Sequence, residues 1–186
     1  IAPFILRRLK KDVLKDLPDK LEKPVYANMN GEQQELYQAH VQRLQILLAE
    51  TSAEEFDRSK IQILAELTKL RQLCCDPALL YENYKSGSAK LDLCVELVEN
   101  AWESGHKMLI FSQFTTMLER IAQRLKKEKI SYYMLTGSTP KQERMHLVNA
   151  FNEDDTAVFL ISLKAGGTGL NLTAADTVIH YDPWWN

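Results

Sequence analysis

The chain has 186 residues, 45% of them hydrophobic and 26% charged, with a formal net charge of −2. This length allows one sizeable core or two small ones, and no apolar run approaches the length needed to cross a membrane. The near-neutral balance excludes a global electrostatic pull toward nucleic acid, so any such contact has to be local.

The first stretch, IAPFILRRLKKDVLKDLPDK, mixes apolar and basic residues, and Pro18 is expected to close a short helix. Arg7, Arg8, Lys10 and Lys11 form a solvated helix face by default and a phosphate-lining face as the sharper alternative. Alternation over residues 25–29 predicts a short strand, and Asn30-Gly31 a turn. Residues 32–48 predict a helix with Leu36, Tyr37, Val41, Leu44 and Leu48 on one side. A second helix carries Ile63, Leu67, Leu70 and Cys74 at helical spacing and closes at Pro77.

From Lys85 the pattern changes. Ser88 is a candidate N-cap, Leu91, Cys94, Val95, Val98 and Trp102 make one helix face, and Gly105 ends that helix. A strand over 107–113 is followed by a helix with Phe114, Met117, Leu118, Ile121 and Leu125 on one face. Then come strand SYYML, turn TGSTP, a helix from Lys141 to about Phe151, strand AVFLIS, a glycine loop and strand TVIHY. We place a boundary near residue 85: an N-terminal helical part over 1–84 and an α/β part over 85–186.

Strands alternating with helices imply right-handed crossovers and a parallel sheet with helices on both faces. Ligands of such sheets bind beyond the carboxyl ends of the strands. Four segments fall there: Ser112-Gln113, TGST, SLKAGGTGLN and DPWWN.

The glycine loop exposes successive backbone N–H groups that suit an anion, and Lys164 adds a positive charge beside them. A tight turn that lets two segments pack closely explains the glycines equally well. TGSTPKQER reads first as a capped helix start, with Ser138 or Thr139 as cap and Pro140 at the first helical position. Phosphate contact by its hydroxyls and N–H groups is the functional alternative, with Arg144 as a possible support. Trp184-Trp185 fit burial against further sequence or stacking on a base.

There is no GxxxxGK[ST], so the chain by itself lacks the P-loop cradle for a triphosphate. Glu153-Asp154-Asp155 reads as a solvated turn, and no nucleophile is proposed. Cys74, Cys75 and Cys94 are not at metal-ligand spacing and are expected as reduced, buried thiols; the four histidines are scattered, and no metal is assigned. The chain starts at Ile1 and stops at PWWN, which reads as a piece of a larger protein.

Six segments occur in order: PFILRRLKKDVLKDLPDK, LRQLCCDPALL, SAKLDL, MLIFSQFTTML, LTGSTPKQER and FLISLKAGGTGLNLTAADTVIHYDPWWN. Together they resemble the SWI/SNF-type helicase-like ATPases of superfamily two, and the wording of the last segment is closest to bacterial members. The resemblance implies the second of two RecA-like lobes, with 1–84 an inter-lobe segment and helical insertion. It implies ATP and magnesium bound mainly by the first lobe, and double-stranded DNA lying across both lobes. ATP hydrolysis then drives movement along the duplex and remodelling of protein–DNA complexes. Residues implied on DNA are Ser112, Gln113, Gly137, Ser138, Thr139, Lys164, Ala165, Gly166, Gly167 and Trp185; Gly169 and Asn171 are implied on the nucleotide side. Leu163 stands where the family often has threonine, so a hydroxyl contact there is not expected. The arginine-bearing sixth motif would follow Asn186, so the chain alone is expected to be inactive. The compartment implied is the nucleoid of a bacterial cytoplasm, or the nucleus of a eukaryote. Two rival readings remain from the residues: a Rossmann-like nucleotide or methyl-donor domain, and a non-catalytic interaction module built on residues 30–80.

Overall fold

The computed structural model describes residues 21–52, 56–167 and 169–183. The basic cluster Arg7, Arg8, Lys10 and Lys11, the helix expected to close at Pro18, and Trp184-Trp185 lie outside the described residues.

Residues 21–30 have no regular structure, against the strand expected at 25–29. Alternation does not make a strand unless its N–H and C=O groups find a sheet edge, and all strands of the sheet come from later in the chain. Val25 and Tyr26 are accordingly exposed.

Helices α1 (Gly31–Glu50) and α2 (Phe56–Cys75) run antiparallel. Gln33 donates its amide to the Leu73 carbonyl at 2.9 Å near one end, and His40 meets Glu66 at 3.3 Å further along. Glu66 is buried and collects Lys69 at 2.8 Å and Arg43 at 3.5 Å as well. The hydrogen bond from Lys69 is the main cause holding its carboxyl below the ordinary glutamate range. Asp76 ends α2 and accepts the Ala78 N–H at 2.9 Å, opening a turn of 3-10 helix over Pro77–Leu79. This is the break expected at Pro77.

In α3 (Ala89–Glu103), Ser88 caps as expected, accepting the Leu91 N–H at 3.3 Å. Its hydroxyl also donates to the Cys75 carbonyl at 2.8 Å, so one side chain both starts α3 and ties it to the end of α2. Leu91, Cys94, Val95 and Val98 are buried, while Trp102 is 43% exposed and leaves the face on which periodicity put it. Gly105, at φ +81°, ends the helix in the left-handed region where glycine is unstrained.

The remaining elements are β1 (Met108–Ser112), α4 (Thr115–Lys127), β2 (Tyr132–Leu135), α5 (Lys141–Glu153), β3 (Val158–Ser162), a single helical turn α6 (Leu163–Gly166) and β4 (Thr177–His180). The four strands are parallel, in the order β2-β3-β1-β4. Residues alternate across the sheet, so it divides the core in two. Met108, Ile110, Val158 and Leu160 face α3 and α4; Leu109, Phe159 and Ile161 pack with Leu135, Phe151 of α5 and Ala165 of α6. Helices on both faces of a parallel sheet are what the sequence led us to expect.

Two local expectations differ. Lys141, not Pro140, is the first helical residue of α5, and no side chain caps it. The Thr139 hydroxyl instead accepts the Thr136 N–H at 3.0 Å, closing the preceding turn. The glycine segment is not wholly loop, because its first four residues wind into α6. It also joins strands that are not neighbours, since β1 lies between β3 and β4.

The three cysteines are free thiols. Burial pushes Cys75 and Cys94 up to about 12, which makes their thiolates scarce at neutral pH. Among the described residues, no helix is long and apolar enough to cross a membrane.

Candidate nucleic-acid interface

Register decides what stands beside what. Ser112 pairs with Ser162, Leu135 with Ile161, and Phe111 with His180, so all four strands end at one level. The segments that follow emerge along that edge in sheet order: 136–140, then 163–167, then 113–114, then 181–183.

The turn after β2 is braced from behind. Arg144 donates from Nε to the Thr139 carbonyl at 2.8 Å, and from Nη2 to the carbonyls of Thr136 and Gly137 at 3.2 and 3.0 Å. The arginine considered as a phosphate support is therefore spent on three carbonyls. N–H and C=O oppose each other in a trans peptide. Turning the Thr136 and Gly137 carbonyls toward Arg144 thus turns the N–H groups of Gly137 and Ser138 away from it. Both residues are exposed, and the hydroxyls of Thr136 and Ser138 share a hydrogen bond of 2.8 Å. Thr139 is half-buried, with its hydroxyl inside the turn.

In the segment after β3, Lys164, Gly167 and Gly169 are exposed, whereas Ala165 is buried against the second core. A Cβ on Gly166 would lie 2.7 Å from Cε1 of Phe111, closer than side-chain carbons approach. Gly166 is bare because it packs on the sheet. Gly167 has φ −71° and open space around it, so neither conformation nor packing demands glycine there. Further on, Asn152 of α5 donates to the Asn171 carbonyl at 2.9 Å and accepts the Ala174 N–H at 3.2 Å. The exposed Asn171 is thus held on the side of α5.

At the end of β1, Ser112 is fully buried and accepts the Phe114 N–H at 3.1 Å. Its side chain shapes the start of α4 and offers no surface to a ligand. Gln113 is half-buried. Its N–H donates to the Asp182 carboxylate at 3.1 Å, and its Oε1 accepts from Arg71 at 3.1 Å. Gln113 Nε2 and Ser162 Oγ are buried without a hydrogen-bond partner among the described residues. Burial raises the Asp182 carboxyl above the ordinary aspartate range, opposed by hydrogen bonds from Ser112 and the Gln113 N–H and by the charges of Lys90 and Arg71.

The edge therefore gathers Gln113, Gly137, Ser138, Thr139, Lys164, Gly166, Gly167 and Gly169. Ser112 and Ala165 lie beneath it, Asn171 is beside α5, and Trp185 falls outside the described residues. Sequence reasoning passed over Arg71 and Asn152, and gave Asp182 no role in holding Gln113 although DPWWN was placed at the edge. Arg71 sits in LRQLCCDP, where nothing local separates a helix arginine that reaches across the molecule from one in water. Among the described residues, no three His, Cys, Asp or Glu side chains converge to hold a metal ion.

The family model described as "Helicase conserved C-terminal domain" matches residues 89–186, and that described as "SNF2-related domain" matches residues 1–79. The chain belongs to the SWI/SNF-type helicase family. An uncharacterized ATP-dependent helicase of Mycoplasma pneumoniae is 37% identical over 186 residues, spanning 100% of this chain and 18% of that protein. The SWI2/SNF2 ATPase C-terminal domain of Sulfolobus solfataricus superposes with a TM-score of 0.78 at 36% identity, covering 90% of this chain and 74% of that one. The SWI2/SNF2 ATPase core of the same organism, solved in complex with double-stranded DNA, superposes with a TM-score of 0.79 at 36% identity over 100% of this chain and 40% of that one. The chain spans less than a quarter of the length of the curated relatives it matches. Membership in this family sets aside the Rossmann-like reading and accounts for the parallel sheet.

Proposed function

We propose that the chain supplies the second lobe of an ATP-dependent translocase on double-stranded DNA, in which hydrolysis between two lobes drives movement and remodelling of protein–DNA complexes. Residues 85–186 form that lobe, and residues 1–84 form the inter-lobe segment and helical insertion. The observation that carries the reading is the convergence of Gln113, the 136–139 turn and the Lys164–Gly167 turn on one exposed sheet edge. The two turns bring exposed N–H donors and a cation, the groups that a phosphate backbone requires and that position a duplex without reading its sequence. Ser112 and Ala165 act here as supports, holding the turns that make contact. Gly169 and Asn171 face the nucleotide cleft. Magnesium and the triphosphate are held mainly by the first lobe, which also supplies the P-loop chemistry that this chain's residues lack.

Gly167→Val in the intact protein tests the reading. The side chain meets open space within the lobe, so stability should hold within about 0.5 kcal/mol. It would stand where phosphate approaches, and DNA-stimulated ATPase should fall about tenfold, the equivalent of one charge-assisted hydrogen bond. Normal stimulation in a folded Gly167→Val protein would remove this turn from the interface.

A further inference from the structure

We propose that Arg144 of α5 is a positioning residue for duplex DNA: by holding the 136–139 turn from behind, it keeps the N–H groups of Gly137 and Ser138 aimed together at one phosphate, while its own charge makes no contact with the duplex. The inference rests on the DNA reading above and assigns the binding role of this turn to its main chain. The guanidinium is engaged inward at two nitrogens, Nε on the Thr139 carbonyl at 2.8 Å and Nη2 on those of Thr136 and Gly137 at 3.2 and 3.0 Å. Arg144 is half-buried, whereas Gly137 and Ser138 are exposed. A direct contact with phosphate would have to come from Nη1, the remaining nitrogen of the fork.

Successive N–H groups that point the same way form a concavity suited to an anion. Those of Gly137 and Ser138 find no acceptor among the described residues, so both are open to a ligand oxygen. The ends of the turn are fixed by its own bonds. The Thr139 N–H donates to the Thr136 carbonyl at 3.2 Å, and the Thr139 hydroxyl accepts the Thr136 N–H at 3.0 Å. The central peptide between Gly137 and Ser138 has no such closure. A Cβ on Gly137 would meet nothing within 4 Å, so packing does not restrain it either. Among the described residues, the bond from Arg144 to the Gly137 carbonyl is what holds that peptide. Ordering it before DNA arrives removes that cost from binding. The planar fork places two nitrogens on carbonyls at once, which a single ammonium on a flexible stem does less well.

The test is direct binding of a labelled duplex oligonucleotide by the intact protein, titrated from about 50 to about 200 mM salt. Arg144→Ala should raise Kd about tenfold, the size of one hydrogen bond to a charged group. Its plot of log K against log salt should run parallel to that of the parent, because no cation has left a phosphate; loss of a direct contact would make the slope shallower by about 0.9. Arg144→Lys keeps the charge but loses the fork and should still bind about fivefold more weakly. Gly137→Pro deletes one of the aimed donors at a turn position that proline suits, and should also raise Kd about tenfold. Because Arg144 acts through that peptide, the double variant should stay near tenfold instead of reaching about a hundredfold. Melting temperatures separate a loss of folding from a loss of aim, and if Arg144→Ala fails to fold the cycle is run with Arg144→Lys. Parent-like Kd in Arg144→Ala, parent-like Kd in Arg144→Lys, a shallower salt slope, or multiplicative effects would each overturn the proposal while leaving the DNA reading intact. Unchanged binding in Gly137→Pro would remove this turn from the interface and the proposal with it; joined to normal stimulation in Gly167→Val, it would sink the DNA reading itself.

Discussion

Gly166 and Gly167 are neighbours in the chain under opposite constraints. A methyl group at Gly166 would meet the ring of Phe111, which is itself stacked on His180 at 5.5 Å and has little room to retreat. Overpacking of this kind costs about 1–3 kcal/mol. Gly166→Ala is therefore expected to lower Tm by about 2–10 °C in a thermal melt, with loss of DNA stimulation only in proportion to unfolding. Gly167→Val should do the reverse, sparing Tm and reducing stimulation. Gly169 differs again, because at φ +67° its backbone is one that a side chain would strain. From the sequence, the three glycines posed one question with two equal answers. The structure separates them, since the contact at Gly166 comes from a strand more than fifty residues away in the chain.

Among elements, those whose order is local were legible. In α4, Met117, Leu118, Ile121 and Leu125 are all buried, as helical spacing requires. The strand expected at 25–29 failed because pairing is a property of two segments, and alternation describes only one. The α1–α2 pair carries a pH dependence that follows from its charges. Lys69, His40 and Arg43 surround the buried Glu66 and favour its ionised form, so its folded-state pKa lies below the unfolded value. The corresponding stability is present above about pH 4.5 and is lost as pH falls through the folded-state value. Glu66→Gln keeps the shape and cannot titrate. Melts from about pH 7 to about pH 3 should show Glu66→Gln less stable at the upper end and the difference from the parent protein shrinking below about pH 4.5. A constant difference across that range would show that Glu66 does not contribute through its charge. Asp154 and Asp176 are also lowered and act equally in both proteins, so the difference isolates Glu66.

At the scale of the whole molecule, the helical segment and the sheet are joined by polar contacts of long sequence separation. Asp76, fully buried, takes Arg120 of α4 at 2.6 Å; Tyr181 donates to the Cys75 carbonyl at 2.7 Å; Arg71 reaches Gln113 and Pro183. A buried carboxylate stripped of its cation is costly, so these contacts hold the segment to the lobe. The same view of the molecule bears on turnover. Phosphoryl transfer draws its rate from positioning and from charge stabilisation of the transferred group, and this chain contains no P-loop sequence. The purified 186-residue chain is therefore expected to show no ATP hydrolysis, with or without duplex DNA. A phosphate-release rate that co-elutes with the chain and is stimulated by DNA would refute this.

What the sequence determined by itself is what depends on neighbours along the chain: the buried face of α4, the Ser88 cap, the stop at Gly105, the alternation of strand and helix, and through its six ordered segments the family. Parallel topology follows from that alternation, and with it the edge at which ligands meet the sheet. Only the tertiary structure decided which candidate residues reach that edge. Ser112 and Ala165 went beneath it, Arg144 was turned to carbonyls, and Arg71 was brought in from a helix forty-two positions before Gln113. The physical reason is that burial and long-range hydrogen bonds are set by register between strands and by docking of helices. Those depend on where distant segments come to rest, and residue type along the chain does not encode that locally.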